Sequence, residues 1–309
     1  MILITGSRGL IGTAIGGLLS DAGVAWRPFD VRDDAAQDTR IRDSLLRALD
    51  GVTGVIHLAA VSRVVWAECE PAKARAVNVD ALQTLLELMG PGRSAPWLIF
   101  ASSREVYGEQ ETLPVREDAE LRPLNTYARS KVEGERLVSA AAEQGMLAQI
   151  VRFSNVYGST DDHEDRVVPA FARAAATGGT VRVEGGANMF DFTHVSDAAR
   201  GLMALYEATV AGEALPAIHF LTGAGTTLDQ LARMAGSHSQ GAVQITDAPA
   251  RKFDVSRFVG DPSRARALLG WTPQVELEAG FGALVQLFAE LSRQESGKSE
   301  AGQDQRCAS

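Results

Sequence analysis

The sequence predicts an α/β protein: a doubly wound parallel sheet with a smaller α/β lobe. Three features predict it. Strand-like and helical runs alternate through the first half, as parallel strands joined by crossover helices require. A glycine-rich turn, GSRGLIG at 6–12, separates the first apolar strand from the first helix. Past Gly158 the character changes, which marks a second lobe.

In chain order, MILIT is a strand, a helix runs from about Leu10 to Ala22, and VAWRPFD is the second strand. SLLRALDG, VTGVIHLAA, a helix through VNVDALQTLLELM and the strand PWLIFASS follow. A long helix extends past Tyr127 to about Gln144, and LAQIVRFSNVYG comes next. STDDHEDR is a charged loop, VVPAFARAAATGG a helix and TVRVEGG a short strand. FDFTHVSDAARGLMALYEA is expected to return to the first lobe. TTLDQLARMA and the stretch from Thr246 to Leu291 build the second. The dinucleotide-binding domain is thus placed at 1–165, completed by about 191–222, and the substrate lobe at 166–190 and 223–291. Residues 292–309 are polar and are expected to be disordered.

With 309 residues the chain can bury a full core. No apolar run reaches the roughly 20 residues of a membrane span, and MILITGSRGLIG has no signal-peptide character. A net charge of −9 argues against nucleic acid, yet local arginines and helix N-termini still permit a small phosphate ligand. Cys69 and Cys307 make no metal or disulfide pattern and read as a core-facing thiol and a tail thiol. A cytoplasmic setting is expected.

Gly6, Gly9 and Gly12 form a G-x-x-G-x-x-G turn after a strand and before a helix, which suits a dinucleotide pyrophosphate. Asp30 closes the second strand where a carboxylate binds the adenine ribose and repels a 2′-phosphate. NAD is therefore favoured over NADP, although Arg27 and Arg32 stand close by. Tyr127 and Lys131 are four residues apart, on one helix face. A cation beside the phenol should draw its pKa down from ~10 and make it a base, which is what alcohol oxidation beside a nicotinamide needs.

Taken together, GSRGLIG, Asp30, VIHLAA, Asn78, FASSREVYG, Tyr127 with Lys131, RFSNVYG, FDFTHVSD and DPSRARALLGWTP resemble an extended short-chain dehydrogenase/reductase. The resemblance is to the NAD-dependent epimerase/dehydratase family of nucleotide-sugar enzymes and covers Met1 to about Leu291. It implies a Rossmann domain, NAD, a nucleotide-sugar substrate, and a homodimer paired through helices at about 81–90 and 126–144. It assigns Arg8, Leu10 and Ile11, with the three glycines, and Leu58, Ala59 and Ala60 to the cofactor. Ser103 is implied as the hydroxyl on the sugar O4, Tyr127 as the proton acceptor, and Lys131 as the ribose ligand. Ser103 is preferred to Ser102 by its spacing to VYG at 106–108.

Three positions depart from the family pattern. Arg40 stands where an aspartate is common, and Phe190 where an arginine usually meets a substrate phosphate. Arg251, in the place of the arginine of the family's R-P-G-D segment, is expected to supply a diphosphate contact; otherwise the substrate is not a nucleotide diphosphate. After Ser103, dehydratases of the family carry an acid and then a glutamate; here Arg104 and Glu105 follow. Glu105 keeps the base of a dehydratase or decarboxylase, or is a solvated loop carboxylate. Arg104 is a poor acid because it stays protonated, and it could bind a substrate carboxylate such as a uronate. Asn155 is either a substrate contact or a turn cap.

A 4-epimerase needs neither Arg104 nor Glu105 and is the leading expectation. A dehydratase or decarboxylase using Glu105, or an NAD-dependent sugar or uronate dehydrogenase, is the alternative. No metal site is expected. His57 reads as a core or cofactor-lining histidine, His194 as structural, and Trp66, Trp97 and Trp271 as packing residues.

Overall fold

The computed structural model describes residues 1–239, 243–251 and 255–307. The first half alternates β1 (Ile2–Thr5), α1 (Leu10–Asp21), β2 (Trp26–Phe29), α2 (Arg42–Ala48) and β3 (Gly54–His57). Short helices α3 (Val64–Cys69) and α4 (Pro71–Arg75) lead through a π-turn into α5 (Ala81–Met89) and β4 (Trp97–Ser103). Then come α6 (Thr126–Glu143), β5 (Ala148–Phe153), β6 (Asn155–Tyr157), α7 (Val167–Thr177), β7 (Gly179–Glu184) and β8 (Met189–His194). The rest is α8 (Val195–Val210), β9 (Ile218–Phe220), β10 (Gly225–Thr227), α9 (Leu228–Ser237), β11 (Val243–Ala248), α10 (Ser263–Leu269) and α11 (Leu277–Cys307).

Six strands form an all-parallel sheet in the order β2-β1-β3-β4-β5-β9. Strands buried on both faces need continuous apolar runs, and β1, β3 and β4 are buried along their whole length. The order reverses between β1 and β3, so a crevice opens beyond their carboxyl ends. One side of the sheet packs Ile4, Ile56 and Ile99 under α1 and α8; the other packs Leu3, Val55 and Leu98 under α5 and α6. A separate core joins α7, α9, α11 and the parallel pair β7–β11 through Phe171, Leu231, Phe281 and Leu284.

Several elements differ from expectation. The strand in FDFTH is not part of the large sheet. It pairs with β6 and β10 in a three-stranded sheet, and its Phe190 and Phe192 join the second core. The stretch from Thr246 to Leu291 is divided: Ala265 and Trp271 join the first core, and the Trp271 indole donates to the Asp197 carbonyl. The polar tail from Ser292 continues α11 as far as Cys307 instead of lacking structure. Glu, Gln, Lys, Arg and Ala are good helix formers, and they extend a helix already packed by Phe281 and Phe288. Cys69 is exposed at the end of α3 and does not face the core. Trp66 is likewise 43% exposed, set edge-on to His163.

A buried ion pair locks α6 to the sheet. Arg152 on β5 donates twice to Glu135 on α6, at 2.8 and 2.6 Å, and both side chains are buried. Ser102 of β4 donates to the same carboxylate at 2.5 Å. The remaining Arg152 nitrogen reaches Tyr107 Oη and the Glu117 carbonyl, and Tyr107 in turn bonds His219 on β9. Removing one partner strands a buried charge. Glu135→Leu should therefore cost about 3–5 kcal/mol in denaturant unfolding, and Glu135→Leu with Arg152→Leu should recover most of it. A double variant as unstable as the single one would contradict this account.

Candidate functional site

The crevice at the strand ends widens into a cleft of about 960 Å³ between the sheet and the second core. Gly6, Gly9, Leu10, Ile11, Gly12, Asp30, Leu58, Ala59, Ala60, Ser103, Arg104, Glu105, Tyr127, Lys131, Asn155 and Arg251 all line it. Arg8 of the same turn does not. Its backbone N–H donates to Asp30 at 2.9 Å and its side chain reaches out to Asp33 at 2.5 Å.

At the floor, Gly6 has φ +72°, a left-handed conformation that suits glycine. A Cβ there would stand 2.7 Å from the Ala59 nitrogen, and one on Gly12 only 2.3 Å from the Gly6 carbonyl. The bare backbone and the free N-terminus of α1 leave room and N–H dipoles for a pyrophosphate. Asp30 is buried and held by the Arg8 and Arg32 amides, with its own N–H on the Gln37 side chain. Arg40 pairs with Asp38 on the same rim, and each strengthens the charged form of the other. These residues fit a dinucleotide.

In the middle of the cleft, Tyr127, Lys131 and Glu135 recur every four residues along α6, so they share one face. Asn125 caps the helix, accepting from the Ala128 N–H at 2.8 Å, and the Glu68 carboxylate accepts from the Thr126 N–H. Ser103, the last residue of β4, hydrogen-bonds Tyr127. Its Oγ also accepts from the Glu105 N–H at 3.2 Å.

The charge state of the pair differs from the sequence expectation. Burial pushes the Tyr127 phenol up to about 12, against the lowering influence of Ser103, Arg166 and Arg104. Lys131 does not counter this. Its Nζ lies 5.8 Å from the Tyr127 ring centre and donates to the Ala101 carbonyl at 2.8 Å. Burial pulls the Lys131 ammonium down to about 8. Desolvation thus outweighs the Ser103 hydrogen bond and the two arginines at Tyr127, and the Glu135 carboxylate at Lys131.

Glu105 is not a free carboxylate. One oxygen accepts from Arg104 at 2.8 Å and the other from Asn125 at 3.0 Å. Arg104 is buried, its guanidinium 4.7 Å over the Phe190 ring and 5.6 Å from that of Phe258. Arg104 Nη1 and Asn155 Nδ2 are buried donors without a hydrogen-bond partner among the described residues. Asn155 lies on β6 and is not a turn cap. Arg251 is ion-paired with Glu184 at the outer wall. Asn78 brackets both the N–H and the carbonyl of Val61 and donates to Ser130, holding the loop behind the cleft. His57 is buried on Thr5, and burial lowers it to about 3. His194 caps α8.

Sequence reasoning missed Asn125, Glu68, Arg166 and the rim made by Trp66 and His163. Asn125 carried a signal, an N-cap residue opening a helix. The others come together only through tertiary contacts, such as the Arg63–Asp165 pair at 2.7 Å that joins α3's entry to the charged loop.

The family model described as NAD dependent epimerase/dehydratase matches residues 2–218. A dTDP-glucose 4,6-dehydratase of Streptomyces griseus is 31% identical over 246 residues, 77% of this chain and 72% of its own. A UDP-glucose 4-epimerase of Corynebacterium glutamicum is 26% identical over 300 residues, 88% and 91% respectively. The solved structure of MoeE5 in complex with UDP-glucose and NAD superposes with a TM-score of 0.83 at 27% identity, covering 94% of this chain and 99% of that one.

The Lys131 shift has a measurable consequence. Its ordinary value is 10.5 and its folded value about 8. Below pH 8 the cation is buried in the folded state and its penalty is fully present; the penalty fades as pH rises to about 10.5. Lys131→Met should stabilise the cofactor-free protein at pH 7 by roughly 2 kcal/mol, after allowing for the lost hydrogen bond. That gain should shrink between pH 8 and 10.5 in urea titrations. A pH-independent gain would show that the ammonium is not what burial opposes.

Proposed function

The chain belongs to the NAD dependent epimerase/dehydratase family, and from that membership we propose that it is an NAD-dependent nucleotide-sugar epimerase working through a 4-keto sugar. The observation that carries the reading is the division of labour in the cleft. Tyr127 and Ser103 address one hydroxyl together, while Glu105, which an elimination would need as a free base, is already held on both oxygens.

Gly6, Gly9, Leu10, Ile11, Gly12 and the start of α1 hold the pyrophosphate of NAD, Asp30 the adenine ribose, and Leu58, Ala59 and Ala60 the wall beside it. NAD, when bound, supplies reversible oxidation at the sugar C4 and, in its oxidised form, a positive charge that favours phenolate. Ser103 would orient the C4 hydroxyl and Tyr127 would take its proton while the C4 hydride passes to bound NAD, giving C4=O. With the ketose turned over and the hydride returned to the other face of C4, Tyr127 would give the proton back to O4. Lys131 binds the nicotinamide ribose. Asn155 and Arg251 meet the substrate on the far wall.

Dehydration, as carried out by the Streptomyces griseus relative, would require Glu105 to leave both of its present partners. We place the enzyme in the cytoplasm, where its substrates would be made. No helix among the described residues is long and apolar enough to cross a membrane. We further propose a homodimer paired through α5 and α6, which lie side by side over the sheet.

Incubation with nucleotide sugars followed by mass spectrometry and NMR should give a stereoisomer of unchanged mass and no net NADH. Loss of water or carbon dioxide would replace the epimerase with the Glu105-dependent reading. Tyr127→Phe should reduce turnover at least ~100-fold while NAD stays bound, as for a lost general base; near-normal activity would remove the assigned role. For Asp30→Ala, titration should show a larger loss of affinity for NAD than for NADP, and equal losses would sink the ribose contact.

A further inference from the structure

The residue after Ser103 is a buried arginine whose partners do not account for it. Arg104 is 7% exposed, and it lines the cleft next to the hydroxyl pair Ser103 and Tyr127. Glu105 engages one side of its fork through Nη2, while Nη1 is buried with no partner among the described residues. A buried donor left unpaired costs about 1–3 kcal/mol, more when it is charged. The rings of Phe190 and Phe258 fix the guanidinium in place and strip it of water without supplying an acceptor. The site therefore contains a desolvated cationic fork, half satisfied, one residue from the group that orients the reacting hydroxyl.

We propose that Arg104 selects the sugar: its guanidinium takes a carboxylate on the carbon beyond C5, so the substrate class is a nucleotide-linked hexuronate. The inference rests on the epimerase reading, in which Ser103 and Tyr127 hold the C4 hydroxyl. A group one residue away meets a substituent neighbouring C4, and on a closed pyranose linked through C1 only C6 can carry a carboxylate. A neutral hydroxymethyl group asks for a hydroxyl or an amide; the planar guanidinium fork matches a carboxylate. Glu105 does not forbid a second carboxylate at the fork. Its other oxygen is held by Asn125, and Arg166 adds positive potential on the Tyr127 side.

The test is calorimetric titration of the NAD-loaded protein with UDP, UDP-glucose and UDP-glucuronate, on the unaltered chain and on Arg104→Met and Arg104→Lys. The unaltered protein should bind the glucuronate ester at least ~10-fold more tightly than the glucose ester. Arg104→Met should erase that ratio while leaving UDP affinity intact, which also shows that the variant is folded, and Arg104→Lys should keep part of it. Equal affinities in the unaltered protein, or a ratio that survives in Arg104→Met, would overturn the inference. So would the failure of both esters to bind more tightly than UDP.

Turnover on the same samples separates this claim from the one beneath it. Interconversion of neutral hexoses without a carboxylate preference leaves the epimerase standing and removes the role of Arg104. An Arg104-dependent preference with loss of carbon dioxide keeps the role of Arg104 and removes the epimerase.

Discussion

Glu135 receives Arg152 on two oxygens and Ser102 on one, so a single carboxylate joins α6, β5 and β4. Those elements present the chemistry at the cleft: α6 carries Tyr127 and Lys131, and β4 ends in Ser103. The tie lies two helical turns below Tyr127, on the same helix face, and so fixes how far the phenol projects relative to the strand end. A hydrophobic contact at that place would pack the helix but leave its register softer, because apolar surfaces slide where bidentate hydrogen bonds do not. Tyr107 and His219 extend the network to the last strand, β9.

The same burial that gives this precision works against the chemistry. Desolvation raises the Tyr127 phenol and lowers the Lys131 ammonium, so each is driven toward its neutral form. Glu135 counters this for Lys131 and Arg166 does so for Tyr127. The two groups are thus poised rather than permanently ionised, and because both side chains are buried, an added positive charge beside them is weakly screened. A site of this kind costs stability in the bare protein.

Much of this was legible in the sequence. Apolar runs gave the strands, the glycine turn stood between strand and helix, and the four-residue spacing put Tyr127 and Lys131 on one face. Periodicity reports which face is buried but not which sheet receives it, so β8 and its pairing with β6 and β10 were not visible. The polar network was hidden for a related reason. Glu135 and Arg152 are separated by a helix end and a turn, and charged residues are expected at the surface unless paired. Trp66 read as a packing residue because size suggests burial, whereas it stands at the rim against His163. The direction of the tyrosine shift was missed because spacing reveals the neighbouring cation and not the loss of water.

Arg104 and Phe190 entered the sequence reading as separate departures, one an arginine in place of an acid, the other an aromatic in place of an arginine. In the fold they touch, the Phe190 ring lying 4.7 Å from the guanidinium centre. Had position 190 kept a cation, two guanidinium groups would face each other across a dry wall with Glu105 as their shared anion, an arrangement that burial penalises heavily. An apolar ring there allows Arg104 to be buried, and Arg104 in turn gives the ring a flat cationic face to cover. The two substitutions are therefore one local solution. The cleft wall thus has an apolar ring at position 190 and its cation at Arg104, beside Ser103 and Tyr127.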